Sequence, residues 1–322
     1  MTNALSFRNV SCSFDGQKVV DDVSFDIAEG EIVCLLGPSG CGKTTSLRLA
    51  AGMETPSGGE IYLGETCVST ASVVAPPETR GIGFLFQDFA LFPHLSVLDN
   101  VTFGLHDMPD NKKKARALEL LKAVGLSGFT DAFPSTLSGG EQQRAALARA
   151  MAPRPSLVLM DEPFSNLDPQ LRDQMRDLTL RLLKENQAAG LIVTHDAADA
   201  LRMADRIAVQ NHGRILQMDV PSVIYQNPNS LEVASMFGPI NMLAGETSRA
   251  VRPADIELTG TGDDIEVSGE IISMRPIGRD ALLDVKLDSG ESWQVVTRLE
   301  DAPMSGAHKF FVPQARLMLF KA

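Results

Sequence analysis

The run GPSGCGKTT at residues 37–45 sets four residues between Gly37 and Gly42 and follows them at once with Lys43 and Thr44. Glycines at that spacing let successive backbone N–H groups turn inward on an anion. A helix starting there aims its positive end at the same point, Lys43 adds a mobile charge, and Thr44 offers a hydroxyl to Mg²⁺. This is chemistry for the β- and γ-phosphates of a nucleotide, with Pro38, Ser39, Gly40, Cys41 and Thr45 completing the loop. A second run, LSGGEQQR at residues 137–144, is also directed at phosphate. Ser138, Gly139, Gly140 and Glu141 open a helix whose free amides and positive end can hold an anion, and Ser138 can cap it.

Residues 157–163 read LVLMDEP, an apolar strand that delivers Asp161 and Glu162 together at its carboxyl end, where open α/β sheets bind ligands. Asp161 is then placed to hold Mg²⁺ through its water shell and Glu162 to polarise an attacking water. Such a pair alone would also suit a helix cap; beside the glycine loop it reads as chemistry. Gln87 follows the strand-like IGFLF and His195 follows LIVT, so both are expected on the same sheet edge as the phosphates. On spacing alone, each stays open between a satisfied residue and a reactive one. Cys41 lies beside a helix N-terminus, an arrangement that lowers a thiol pKa, so its oxidation is expected to block nucleotide binding; the plainer reading is a small residue that fits the loop.

The elements that must position these groups are legible from periodicity. LSFRNVSCSF and VSFDI read as strands broken by turns at Asp15-Gly16 and Glu29-Gly30, and residues 31–36 form a buried strand leading into the glycine loop and a helix over 44–51. Further strands are expected at 81–86, 156–160, 190–194 and 206–210, separated by helical patterns such as LRDQMRDLTLRLLKEN. Alternation of this kind argues for an α/β fold with a mainly parallel sheet covered on both faces. Residues 96–151 hold helical segments without a convincing strand, a helical insertion. After NPNS and FGPI the pattern becomes that of a small all-β domain, with ALLDVKLDSGESWQVV forming a hairpin around Asp288-Ser289-Gly290.

A chain of 322 residues suits one large domain and a smaller one. Its 29 basic and 41 acidic residues give a net charge of −12, which disfavours nucleic acid as a partner, and Lys112–Lys114 reads as a solvated helix face. Four cysteines without C-x-x-C spacing fit reduced thiols in a cytosol and no zinc site. The N-terminus carries no signal pattern and apolar runs stop at strand length, so work at a membrane would need other subunits to hold the chain there.

In order, GPSGCGKTT, FQD at 86–88, LSGGEQQR, LVLMDEP, SNLD at 165–168 and THD at 194–196 resemble the nucleotide-binding subunit of ATP-binding cassette (ABC) transporters over roughly the first 237 residues. The resemblance implies a P-loop NTPase ABC cassette at 1–237 with a helical subdomain at about 88–155. It implies ATP and Mg²⁺ as cofactors. It also implies that Phe14 stacks on adenine, that Gln87 senses the γ-phosphate and the Mg²⁺ site, that His195 contacts the γ-phosphate, and that Asp168 of SNLD belongs to the nucleotide site. Two subunits would face head to tail, each LSGGEQQR loop closing on the ATP of its partner. Phe14 stands where Tyr is usual and still offers a π face; Asn166 stands where Ala is frequent.

The tail at 238–322, with VRPADIEL, GEIISMRPIGRDALLDVKLDSG and WQVV, resembles the OB-like, transport-associated domain of binding-protein-dependent importers; its short form argues against a sugar-specific or regulated subunit. EPFSNLDPQLRDQMRDLTLRLLKE and MADRIAV are most similar to the ferric-iron group, with polyamine, sulfate and sugar importers close behind. The implied partners are a second copy, integral permease subunits and, indirectly, a periplasmic or extracellular solute-binding protein. The implied place is the cytoplasmic face of the inner (plasma) membrane. Residues 89–105 would be core or a groove for a permease helix. A soluble cassette ATPase acting on ribosomes or DNA is the rival class, and the chain lacks the second cassette or long coiled coil usual there. A P-loop GTPase would need N-K-x-D, and NKKK at Asn111 lacks the aspartate.

Overall fold

The structure is a computed structural model and describes residues 2–105, 108–165, 167–243 and 249–320, so Asn166 lies outside the described residues. Strand β1 (Asn3–Phe14) turns through Asp15 and Gly16, at φ 48° and 82°, into β2 (Gln17–Ala28). A two-residue turn between twisted strands needs both central residues left-handed, and Asp-Gly supplies them. Strand β3 (Ile32–Leu36) is buried at every residue and runs into the glycine loop and helix α1 (Lys43–Ala51). Strands β4 (Gly58–Leu63) and β5 (Thr66–Ser69), which the periodicity did not announce, complete an antiparallel sheet of order β2-β1-β4-β5.

Among the last carbonyls of α1, Arg48 O accepts from Met53 N (2.9 Å) and Leu49 O from Gly52 N (3.1 Å), which leaves Ala50 O in need of a side-chain partner. Buried Arg80 supplies one: its Nη1 donates to the carbonyls of Leu49 (3.3 Å) and Ala50 (2.8 Å). Its Nε donates to Ala75 O (3.0 Å), and its Nη2 to Val68 O (3.2 Å) and Ser69 Oγ (2.6 Å). Arg80→Met keeps the length and strips every donor, so we expect a loss of about 3 kcal/mol, read as a lower urea midpoint at constant slope. An unchanged midpoint would mean that water satisfies these carbonyls.

Strand β6 (Gly83–Leu85) precedes the helical stretch α2 (Val97–Thr102), α3 (Asp110–Ala123) and α4 (Gly139–Met151), which holds no strand among the described residues. Then follow β7 (Leu157–Asp161), α5 (Pro169–Glu185), β8 (Ala189–Thr194), α6 (Ala197–Met203), β9 (Arg206–Asn211) and the unanticipated β10 (Arg214–Asp219). The second sheet has the order β10-β9-β3-β8-β7-β6, parallel except for β10. The residues of β8 are all buried, as a parallel strand covered on both faces requires. Leu5, Phe7, Val23 and Ile27 of the first sheet share one core with Val33, Leu35, Leu159 and Val193 of the second and Leu47 of α1.

Two compact units divide the chain, Met1–Pro221 and Ser222–Ala322. Short helices α7 (Pro221–Gln226) and α8 (Leu231–Ser235) therefore belong largely to the second unit, ahead of the boundary expected at 237. That unit is otherwise antiparallel. Strands β11 (Asn241–Met242), β12 (Arg249–Val251) and the last strand, β17 (Met318–Leu319), form a sheet of order β11-β12-β17. Strands β13 (Ile265–Ile277), β14 (Asp280–Leu287), β15 (Ser292–Arg298) and β16 (Gly306–Val312) form a sheet of order β15-β14-β13-β16. The hairpin expected around Asp288-Ser289-Gly290 is β14–β15, and Leu283, Val285, Trp293, Val295 and Phe310 form the core of the unit.

Candidate functional site

Parallel strands deliver their carboxyl ends to one edge, and the order β3-β8-β7-β6 fixes what stands side by side there. The glycine loop follows β3, His195 follows β8, Glu162 follows β7, and Gln87 lies two residues beyond β6. Residues spread from 37 to 195 thus meet along a single rim.

The glycine loop is shaped by close approaches that forbid side chains. A Cβ on Gly37 would lie 2.1 Å from the carbonyl oxygen of Gln210 in β9, and one on Gly42 would lie 2.3 Å from that of Val19. Gly42 also takes φ 103° as the N-cap of α1, and Gly40 takes φ 81°. Behind the loop, Gly213 N donates to Cys41 O (3.1 Å), and Asp21 N donates to Gly213 O (2.9 Å). Gln210, fully buried, receives Ser46 Oγ at 3.4 Å. Lys43 Nζ, also buried, donates to Gly37 O (2.8 Å) and Pro38 O (2.9 Å), so its ammonium stands inside the curve of the loop. A cradle that a Cβ would fill, a converging ammonium and a helix N-terminus fit a nucleotide's phosphates.

Thr44 Oγ1 donates to Asp161 Oδ1 at 3.1 Å, joining the two residues expected at Mg²⁺. Burial pushes the Asp161 carboxyl above the usual range, opposed by the Thr44 hydrogen bond and by Arg48 and Lys43. A hydroxyl and a carboxylate side by side form the donor set a hard, oxygen-seeking cation prefers, so Thr44 and Asp161 fit Mg²⁺. His195 Nδ1 lies 3.0 Å from Glu162 Oε1, with side-chain exposures of 52% and 19%. Glu162 is left-handed at φ 43°, its N donates to Val193 O (3.0 Å), and its own carbonyl accepts Ser165 Oγ (3.0 Å). A non-glycine residue held in that conformation costs on the order of 1 kcal/mol and marks a position fixed by its surroundings.

Among the described residues, the remaining expected ones make no hydrogen bond or ion pair to this cluster. Phe14, at the end of β1, is 43% exposed, as a stacking platform must be. Gln87 is exposed in a turn. Ser138 and Glu141 form a capping box at the start of α4: Glu141 Oε2 accepts from Ser138 N (2.8 Å) and Ser138 Oγ (2.7 Å), and Ser138 Oγ accepts from Glu141 N (3.4 Å). The Ser138 hydroxyl holds the Glu141 carboxyl below the usual range. Among the described residues no hydrogen bond or ion pair joins Ser138, Gly139, Gly140 or Glu141 to the glycine loop. Asp168 caps α5, Oδ1 accepting from Gln170 N (3.1 Å) and Leu171 N (3.0 Å).

At Cys41 the structure bears on the two readings the sequence left open. Its thiol is buried beside Gly37, and burial pushes it up, outweighing the helix end and the Lys43 ammonium 3.8 Å away. Burial beside Gly37 favours the plainer reading, a small residue that fills the loop.

An ion network that the sequence did not reveal braces His195. Arg172 of α5 donates to Asp196 Oδ2 (2.8 Å) and to Leu167 O (3.3 Å), while Asp196 Oδ1 accepts from Ala198 N (2.7 Å) to cap α6. Arg176 pairs with buried Asp199, which accepts Thr194 Oγ1 at 3.3 Å. Repeated acidic and basic residues at helical spacing were the only sequence signal, and they read equally well as a solvated face.

Strand, glycine loop, helix and an acidic strand end on one rim define a P-loop nucleotide hydrolase. Residues 20–165 match the family model described as "ABC transporter". The Fe(3+) ions import ATP-binding protein FbpC 2 of Haemophilus influenzae is 44% identical over 252 residues, 76% of this chain and 71% of the relative. The sulfate/thiosulfate import ATP-binding protein CysA of Pseudomonas aeruginosa is 41% identical over 293 residues, 88% of each chain. Among solved structures, the dimeric ATP-binding cassette MJ0796 in a post-hydrolysis state with ADP and Pi superposes with a TM-score of 0.60 and 32% identity, covering 67% of this chain and 98% of that one. The chain belongs to the ABC transporter family and is an ATPase of that family.

Proposed function

We propose that this chain is the ATP-hydrolysing subunit of a binding-protein-dependent importer. The observation that carries the reading is likeness along 88% of both chains to an import ATP-binding protein, reaching past the cassette into the β-rich second unit. Phe14 stacks on adenine, residues 37–45 wrap the phosphates, and Lys43 moves its ammonium from the Gly37 and Pro38 carbonyls to phosphate oxygens. Thr44, Asp161 and Gln87 hold Mg²⁺, which supplies charge neutralisation on the phosphates. Glu162 takes the proton of the attacking water, and His195, 3.0 Å from it, contacts the γ-phosphate. Ser138, Gly139, Gly140 and Glu141, which make no hydrogen bond to their own loop among the described residues, close on the ATP of a second copy together with Asp168, so two sites arise in a symmetric homodimer.

Beside Gln87, Phe84, Phe86, Phe92, Phe103 and Ala90 line a groove of about 380 Å³, with Phe92 and Phe103 ring centroids 4.4 Å apart. Its apolar lining suits a helix of the permease, and the chain is held at the cytoplasmic face of the membrane in this way. No helix among the described residues is long and apolar enough to cross a membrane itself. Ferric iron is the first candidate cargo, with sulfate, polyamine or sugar next.

The test is reconstitution of the chain with its permease in liposomes. ATPase activity is expected to rise when a binding protein loaded with its solute is added, and a panel of ferric iron, sulfate, spermidine and maltose names the cargo. Activity that responds to ribosomes or DNA and never to a loaded binding protein would overturn the reading.

A further inference from the structure

Directly after Gln87 and Asp88, Phe89 and Ala90 take φ 64° and 45°, two successive non-glycine residues in the left-handed region. Such a pair persists only when something holds it. Here the holder is Arg149 in the last turn of α4, whose Nη1 donates to Ala90 O (2.6 Å) and Nη2 to Phe89 O (2.9 Å). The guanidinium also lies 5.5 Å from the ring centroid of Phe92, closing the clamp from a third side.

The same helix has two other attachments. At its start stands the Ser138–Glu141 capping box, and at its middle the fully buried Gln143 donates through Nε2 to Pro163 O, next to Glu162. One helix of 13 residues therefore carries the second phosphate-directed loop and touches the segments that follow both Gln87 and Glu162. Neighbouring turns share a hydrogen-bonded ladder, so a tilt at one end reaches the other.

We propose that Arg149 is a positioning residue that locks residues 87–90 to α4, so that the attitude of Gln87 and that of the Ser138–Gly140 loop change together. The proposal rests on the head-to-tail dimer proposed above. In that dimer Gln87 serves the subunit's own nucleotide and Ser138 serves the partner's, so the Arg149 clamp couples the two sites. Left-handed Phe89-Ala90 is the gripped arrangement, and loss of the Arg149 hydrogen bonds would free that backbone to relax.

The experiment uses the full chain with Arg149→Gln, Arg149→Lys and the double variant Arg149→Gln/Ala90→Gly, each alone and combined with Glu162→Gln. Three quantities are read: the Hill coefficient of ATP hydrolysis, the protein concentration at which ATP drives the Glu162→Gln form into a dimer by gel filtration, and the melting temperature. We expect Arg149→Gln to bring a Hill coefficient above one down to one and to raise the dimer midpoint at least about tenfold. Lysine, one ammonium that cannot span both carbonyls, falls between. Glycine accepts positive φ freely, so the double variant recovers melting temperature but not cooperativity. If Arg149→Gln lowers only the melting temperature, or if the double variant restores both, Arg149 is a strut and the proposal is overturned. If Glu162→Gln alone does not dimerise with ATP, the dimer reading fails and takes the coupling with it.

Discussion

Glu162→Gln is expected to slow steady-state ATP hydrolysis by about 10²–10⁴-fold while ATP binding survives. The amide keeps the shape and a hydrogen-bonding oxygen for His195, 3.0 Å away, but cannot accept the proton of an attacking water. The backbone that presents residue 162 is fixed by Val193 O and by the Ser165 hydroxyl, so the variant should retain the local geometry and lose only the base. With hydrolysis stalled, bound ATP keeps two copies together, and gel filtration should show a nucleotide-dependent dimer that the wild type forms only transiently. Phosphate release within about threefold of wild type would remove Glu162 from its role as base and leave His195 or a phosphate oxygen to be considered.

The second large effect is expected at Gly42, where two penalties coincide. An alanine there must hold φ 103°, a strain of about 1–2 kcal/mol, and its methyl carbon would sit 2.3 Å from Val19 O, which adds about 1–3 kcal/mol of overpacking. The obstacle is backbone, so it cannot swing aside as a side chain would. Gly42→Ala is expected to unfold earlier and to bind ATP at least about tenfold more weakly, because relief of the clash displaces the first turn of α1 and the amides facing the phosphates. Gly40→Ala is the internal control: Gly40 also has positive φ (81°) but nothing within 4 Å of its added carbon. Calorimetry of the two variants separates them. Equal losses would mean that strain alone acts and that the β2 segment does not press on the loop.

The chemistry-bearing residues were legible because phosphate binding demands particular residue types at fixed spacing. Gly37, Gly42, Lys43 and Thr44 are adjacent in the chain, and Asp161 and Glu162 end an apolar run that is a strand on its face. Parallel strands, buried on both sides, leave nearly unbroken hydrophobic stretches, and β3, β7, β8 and β9 fall within a residue or so of where the sequence put them. Strands β4, β5 and β10 escaped because they are only partly buried and carry no unbroken apolar run, and β10, of sequence RILQMD, has no alternation to display. What the sequence hid most completely was the bracing. Arg80, Arg149 and Arg172 look like ordinary surface charges, yet Arg80 grips the end of a helix 30 residues away and Arg149 a turn 59 residues away. At Cys41 the sequence left two readings open for a related reason: the helix end beside the thiol is visible in sequence, whereas its burial is a property of the packed loop.

Strand β3 lies between β8 and β9, both encoded far downstream of it, and the turn that follows β9 donates to Cys41 O. A nascent chain emerging from a ribosome therefore exposes the nucleotide loop long before either neighbour of its strand exists. Until about residue 213 has cleared the exit tunnel, no wall stands behind Gly37 or beneath Cys41. High contact order of this kind makes assembly slow, and the bare IVCLL segment offers chaperones an obvious stretch to shield during translation.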